Sequence, residues 1–202
     1  MDELALITSA QRGDLDAFNT LVLAYQDILF NTALRILGDD ELAEDATQDA
    51  FISAFRGLNT YRGGSFKAWL LRTVTNACYD ELRRKKRRPT TPLEPDASDG
   101  DEMDTPRWLA DPALTPEQSA EAAELEHAIQ HCLENLPLEF RTVVIMADLQ
   151  GLDYSEVAIA TRAPLGTIKS RLARARLRLR ECLKGFGELL PATFRLEGEM
   201  AE

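Results

Sequence analysis

The chain has 202 residues, 45% of them apolar and 7% aromatic, with a formal net charge of −11. That is enough apolar material for one large core or two small ones, and Ala and Leu without β-branched runs favour helices over sheets. No run nears the roughly 18 apolar residues of a membrane span, and the acidic opening MDELALITSAQRGD lacks the apolar segment of an export signal. The expected location is a reducing cytoplasm, with Cys78, Cys132 and Cys182 as small core residues.

Taken in chain order, Asp14 opens the first helix, along which Phe18, Leu21, Val22, Tyr25, Leu29 and Ala33 recur at three- and four-residue steps. Gly38 breaks the pattern, and Asp39-Asp40 suits the start of the next helix. That helix is expected from about Glu41 to Gly57, with Thr47, Phe51, Ala54, Phe55 and Leu58 turned inward. Tyr61-Arg62-Gly63-Gly64 reads as a loop, its paired glycines allowing positive φ. A third long helix follows from Phe66 to about Lys86, apolar at Phe66, Leu70, Val74, Ala77 and Cys78.

Residues 89–116 contain six of the nine prolines, in a stretch too rich in Asp and Gly to build a core. Beyond it, Thr115-Pro116 resembles a helix cap with proline at the first position. Leu125, Ala128, Ile129, Cys132 and Leu133 form one stripe, ended by Leu136-Pro137. Phe140 to Leu149 makes another helix, stopped by Gly151. Tyr154 to Ala160, a turn at Ala163-Pro164 and a last helix from about Gly166 to Leu183 follow the helix-turn-helix pattern. The expected fold is therefore all-α: two small helical domains, 1–88 and 115–184, joined by a flexible acidic Pro-rich linker, 89–114. The tail, 185–202, is too short for a domain; it either packs on the second domain or binds a regulator.

The net charge conceals segregation. Arg83 to Arg88 are six successive cations, and residues 166–180 carry six more without an acid. Between these blocks, residues 94–126 hold eleven acids and one base. Two basic sites around an acidic spacer suit two contacts with one polyanion. In the last helix, Ile168, Leu172, Ala175 and Leu179 share a face. Arg171, Arg174 and Arg178 flank it on one side and Lys169, Arg176 and Arg180 on the other, with no acid nearby for i,i+4 pairing. Its first turn, Thr167-Ile168-Lys169-Ser170-Arg171, offers donors where base edges would lie.

Leu136-Pro137, Arg141, Gly151, Tyr154, Glu156, Pro164, Gly166-Thr167, Lys169-Ser170-Arg171 and Ala175-Arg176 resemble the pattern of bacterial extracytoplasmic-function sigma factors. So do Arg12-Gly13-Asp14, Ala17-Phe18, Leu37-Gly38, Ala43-Glu44-Asp45, Gln48, Phe51, Trp69-Leu70, Asn76 and Arg83-Arg84, in the right order ahead of them. One departure is Thr161-Arg162, where the family usually has Leu-Gly. Either a left-handed residue there costs about 1 kcal/mol without glycine, or Arg162 touches phosphate.

The resemblance implies a transcription initiation factor that joins core RNA polymerase and brings it to promoter DNA. Asp45, Gln48, Asp49 and Ile52 share one helical face by their spacing, and the resemblance implies that this face grips polymerase. Tyr61, Arg62, Ser65, Phe66 and Trp69 cluster around the glycine loop as a candidate pocket for an extruded base, with Phe66 also a candidate for the core. Arg72, Asn76, Tyr79 and Arg83 continue from Trp69 along the side that, in the family, faces the −10 element, and Arg84 joins the phosphate-holding run. Thr167, Lys169, Ser170, Arg171, Arg174 and Arg178 are the expected −35 contacts.

An extended linker of about 26 residues reaches at most ~85 Å, enough for the ~70 Å of two duplex turns. The family usually works with an anti-sigma partner, which no residue here identifies. His127, His131 and Cys132 make too weak a set for zinc, and no cofactor motif or nucleophile-base pair stands out, so neither a metal, a cofactor nor an enzyme is expected. The rival readings are a promoter-binding regulator that never joins polymerase and a protein-binding adaptor.

Overall fold

The computed structural model describes residues 2–87 and 115–189; the expected linker and the tail beyond residue 189 lie outside the described residues. Among the described residues every regular element is helical. The order is α1 (Glu3–Gln11), α2 (Leu15–Leu37), α3 (Asp40–Gly57), α4 (Phe66–Arg87), α5 (Pro116–Glu134), α6 (Leu138–Val144), α7 (Tyr154–Thr161) and α8 (Leu165–Lys184).

Short polar residues punctuate these helices as their chemistry dictates. The carboxylates of Asp2, Asp14, Asp39 and Asp153 accept backbone N–H groups at the starts of α1, α2, α3 and α7. Each fills an orphan donor and places negative charge at the positive end of a helix dipole. Asp153 and Glu156 complete a reciprocal capping box. Gly38, at φ 71°, supplies the left-handed residue that ends α2. The helix α1 is not signalled by periodicity: it is nine residues long and buries only Ile7 and Ala10, too little for a helix to persist outside tertiary contact.

In the N-terminal domain α2, α3 and α4 pack together, with α1 against α2. The inward stripe of α3 is Ala43, Ala46, Ala50 and Ala54, all fully buried. Small side chains let its backbone approach its neighbours. Phe55, expected inside, is instead 44% exposed and lies edge-on to Phe18, with ring centroids 5.0 Å apart. The C-terminal core gathers Phe140, Val143, Ile145, Met146, Val157, Ile168 and Leu172 from α6, α7, α8 and the π-helical turn Ile145–Leu149.

The two domains meet along a seam where one continuous apolar core is bordered by polar side-chain links. Arg141 donates to Ile36 O and Glu134 O, both at 2.5 Å, and to Leu136 O at 3.4 Å, supplying the carbonyls at the ends of α2 and α5. Arg35 pairs with Glu126 and reaches Gln130, Lys67 Nζ donates to Gln150 O at 2.6 Å, and the Tyr79 hydroxyl shares a 2.9 Å hydrogen bond with Thr142. Burial pushes the Tyr79 phenol up and the Arg35 guanidinium down from their ordinary values. Helix α7 also packs on α4.

The cysteines follow expectation only in part. Cys78 is a buried free thiol, pushed up to about 12 chiefly by burial. Cys132 and Cys182 form a disulfide between α5 and α8, because the packing of those helices brings their Cα atoms within 5.8 Å. Cys132 is a core residue as expected, but it is paired with the half-buried Cys182 rather than reduced. Thiol titration should find no reactive cysteine in the native protein, one after denaturation and three after denaturation with reduction. Arg141→Ala strips charged donors from three carbonyls and should lower stability to urea by about 2–3 kcal/mol.

Candidate nucleic-acid interface

Helix α8 buries Ile168, Leu172 and Ala175, as its stripe predicts, and turns its cations outward on both flanks. Those cations are not equivalent. Arg171 pairs with Glu139 at 2.5 Å, Arg176 grips both oxygens of Asp148 at 2.6 and 2.9 Å, and Arg178 lies 5.3 Å from the Phe140 ring centroid. The hydrogen bonds that Arg176 donates to Asp148 and, less strongly, to the Tyr154 oxygen hold its guanidinium above its ordinary value. Lys169, Arg174 and Arg180 are exposed and have no carboxylate within ion-pair distance among the described residues. Ser170 is exposed and Thr167 half-buried. The six predicted −35 residues thus lie along one helix, but Arg171 and Arg178 already have partners within their own domain.

Glu139 and Asp148 are the acids that sequence reasoning missed. They lie 32 and 28 residues from the arginines they meet. Nothing local in sequence links them, and the absence of acids over residues 166–180 suggested unpaired cations.

The loop before α4 is held by its own hydrogen bonds. The Tyr61 hydroxyl donates to Gly64 O at 2.7 Å, Gly63 and Gly64 sit at φ 98° and 95°, and Ser65 Oγ accepts the Ala68 N–H at 3.1 Å. Phe66 is only 2% exposed, edge-on to Tyr25 and Tyr61 and stacked on Trp69. Of the candidate base pocket, then, Phe66 and Tyr61 are buried, Trp69 and Ser65 are half-buried, and Arg62 is exposed.

Further along α4, the half-buried Arg72 and the exposed Asn76 and Arg83 lie on one side, Arg83 paired with Asp80 at 3.1 Å, while Tyr79 turns to Thr142 in the domain seam. Arg84 leaves that side: its Nη2 lies 2.5 Å from Glu81 and 4.0 Å from Asp49 on α3. Asp45, Gln48, Asp49 and Ile52 all stand off the alanine core, and Ile52 is 47% exposed. Asp49 and Ile52 line a groove of about 330 Å³ whose opposite wall includes Thr73, Asn76 and Asp80 of α4. The two predicted faces of the N-terminal domain therefore meet at one groove.

This arrangement has known counterparts. Residues 21–88 match Sigma-70 region 2, and residues 126–179 match Sigma-70, region 4. The RNA polymerase sigma-H factor of Pseudomonas aeruginosa is 36% identical over 176 residues, covering 85% of this chain and 88% of that protein. The chain belongs to the sigma-70 family, in its extracytoplasmic-function (ECF) branch.

The ECF sigma-E factor of Escherichia coli K12 is 33% identical over 181 residues, covering 87% of this chain and 91% of its own. CnrH, solved with the cytosolic domain of CnrY, has the same fold, with a TM-score of 0.65 at 22% identity over 91% of this chain and 97% of that one. The sigma factor RpoE of Bartonella quintana, solved with the anti-sigma factor NepR, gives 0.61 at 25% identity over 83% and 96%. As a member of this family the chain is a transcription initiation factor that directs RNA polymerase to promoters. Among its described residues no helix is long and apolar enough to cross a membrane.

Glu139 holds Arg171 in the free sigma factor, so base contact by Arg171 requires breaking that pair. Glu139→Gln should tighten binding to a −35 duplex by no more than a few-fold, since a half-exposed pair is worth about 1 kcal/mol or less. Fluorescence anisotropy at fixed salt reads the change.

Proposed function

We propose that this ECF sigma factor divides promoter recognition between its two domains while docking to polymerase through α3. The carrying observation is the shared groove, where the exposed Asp49 and Ile52 of α3 meet the Asn76 side of α4. On this reading Asp45, Gln48, Asp49 and Ile52 hold core polymerase, and Arg72, Asn76 and Arg83 track the −10 strand one helix away. A base flipped from the duplex stacks on Trp69 beside Arg62, such stacking being worth about 1–3 kcal/mol. Tyr61, Phe66 and Ser65 support that platform from beneath, and Arg84 acts by positioning Asp49.

In the C-terminal domain α8 enters the major groove of the −35 element. Thr167, Lys169, Ser170 and Arg171 face base edges from its first turns, and Arg174 and Arg178 face the flanking backbone. Domain boundaries at 88 and 115 leave 89–114 as the connector between the two elements. The factor acts in the cytoplasm and has no catalytic chemistry of its own; polymerase makes the RNA. The structural neighbour from Bartonella quintana is bound to an anti-sigma factor, and the same class of inhibitor is a further partner here.

Run-off transcription with purified core polymerase tests the reading. A promoter-dependent transcript should form only when this chain is added, and Asp49→Lys should abolish it together with retention on core polymerase. Tight duplex binding without transcript would make the protein a promoter-binding regulator instead. Arg171→Ala should weaken the −35 duplex by about 1–3 kcal/mol relative to an unrelated one. Equal loss on every sequence would make Arg171 a phosphate contact.

A further inference from the structure

Among the described residues one position other than glycine has positive φ: Arg162, at φ 54° and ψ 37°, the residue that closes α7. The remaining left-handed positions, such as Gly38, Gly63 and Gly151, are glycines. A side chain with a Cβ is penalised there by contact with the following backbone.

The backbone shape is needed. It lets Ala163 N donate to Ala158 O at 3.1 Å, which ends α7 and leads through Pro164 into α8. The side chain contributes nothing to that turn. Arg162 is exposed, and among the described residues its guanidinium has no hydrogen-bond or ion-pair partner, unlike Arg171, Arg176 and Arg178 of α8. The strain therefore has no return inside the molecule.

A return is available outside it. When the second helix of such a motif lies in the major groove, the first crosses the sugar-phosphate backbone, so the turn joining them stands at the groove edge. We propose that Arg162 is a phosphate anchor, a cation held on a strained turn to grip the backbone of the −35 duplex beside the recognition helix. This rests on the reading that α8 enters that groove. Arg162 adds register without sequence information, as phosphate contacts do. It accepts a backbone conformation that glycine would adopt more cheaply.

The test compares the full-length wild type with Arg162→Gly and Arg162→Lys. The probes are a fluorescent duplex enriched by this chain from a random library and an unrelated duplex of equal length. Arg162→Gly should raise the thermal midpoint by a few degrees yet weaken both duplexes, by roughly fivefold near physiological salt, with a log–log salt slope shallower by about 0.9. Arg162→Lys should keep the wild-type slope. An unchanged slope in Arg162→Gly, or a midpoint that falls, overturns the proposal. If the wild type fails to prefer the enriched duplex, base reading by α8 fails instead, and the two results are separable because the phosphate loss is read on both probes.

Discussion

The guanidinium of Arg141 is the point on which the compact arrangement turns. It rises from α6 and reaches the carbonyl ends of α2 and α5, which carry the negative poles of two helix dipoles. One side chain so joins three helices from two domains. Burial lowers its proton affinity from the ordinary value, partly opposed by the nearby Glu134, yet a guanidinium stays charged under all these conditions. Around it, Arg35 with Glu126, Lys67 with Gln150 and Tyr79 with Thr142 extend the same kind of link. These polar links border an apolar core that is itself continuous across the two domains.

The distribution of charge follows a related economy. The net −11 chain gathers many of its cations at the end of α4 and along α8, and several of those are oriented by neighbouring acids. Arg176 is tied to Asp148 and stiffens the helix-turn-helix, while Arg171 waits on Glu139. In the N-terminal domain Arg84 turns toward Asp49 and Glu81, so the basic run at the end of α4 serves two faces rather than one. The disulfide between Cys132 and Cys182 anchors the end of α8 to α5. Because α5 also docks on α2, the packing of α8, the domain core and the seam forms one continuous series.

Much of this was legible in the chain itself, for reasons that are local. Helical periodicity depends on side chains three and four apart, so the stripes of α2, α4 and α8 and the turn before α8 follow from residue order. Aspartates at helix starts and glycine at φ 71° are likewise satisfied by atoms within a few residues. The shared face of Asp45, Gln48, Asp49 and Ile52 follows from their spacing, whereas the alanine stripe opposite it, with Phe55 turned outward, did not. The left-handed state of Arg162 was one of two outcomes the sequence left open at the turn.

What required the tertiary structure was every pairing across distance. No local signal couples Glu139 to Arg171, Cys132 to Cys182, Tyr79 to Thr142 or Arg141 to the end of α2, because such contacts depend on where packed helices place their faces. The short α1 exists for the same reason: two buried residues stabilise it only against a finished bundle. Sequence by itself determined which segments coil, which faces are apolar and where positive charge accumulates. Only the folded molecule decided which charges stay free for a partner and which are taken by neighbours, since that depends on distances between helices rather than on spacing along one.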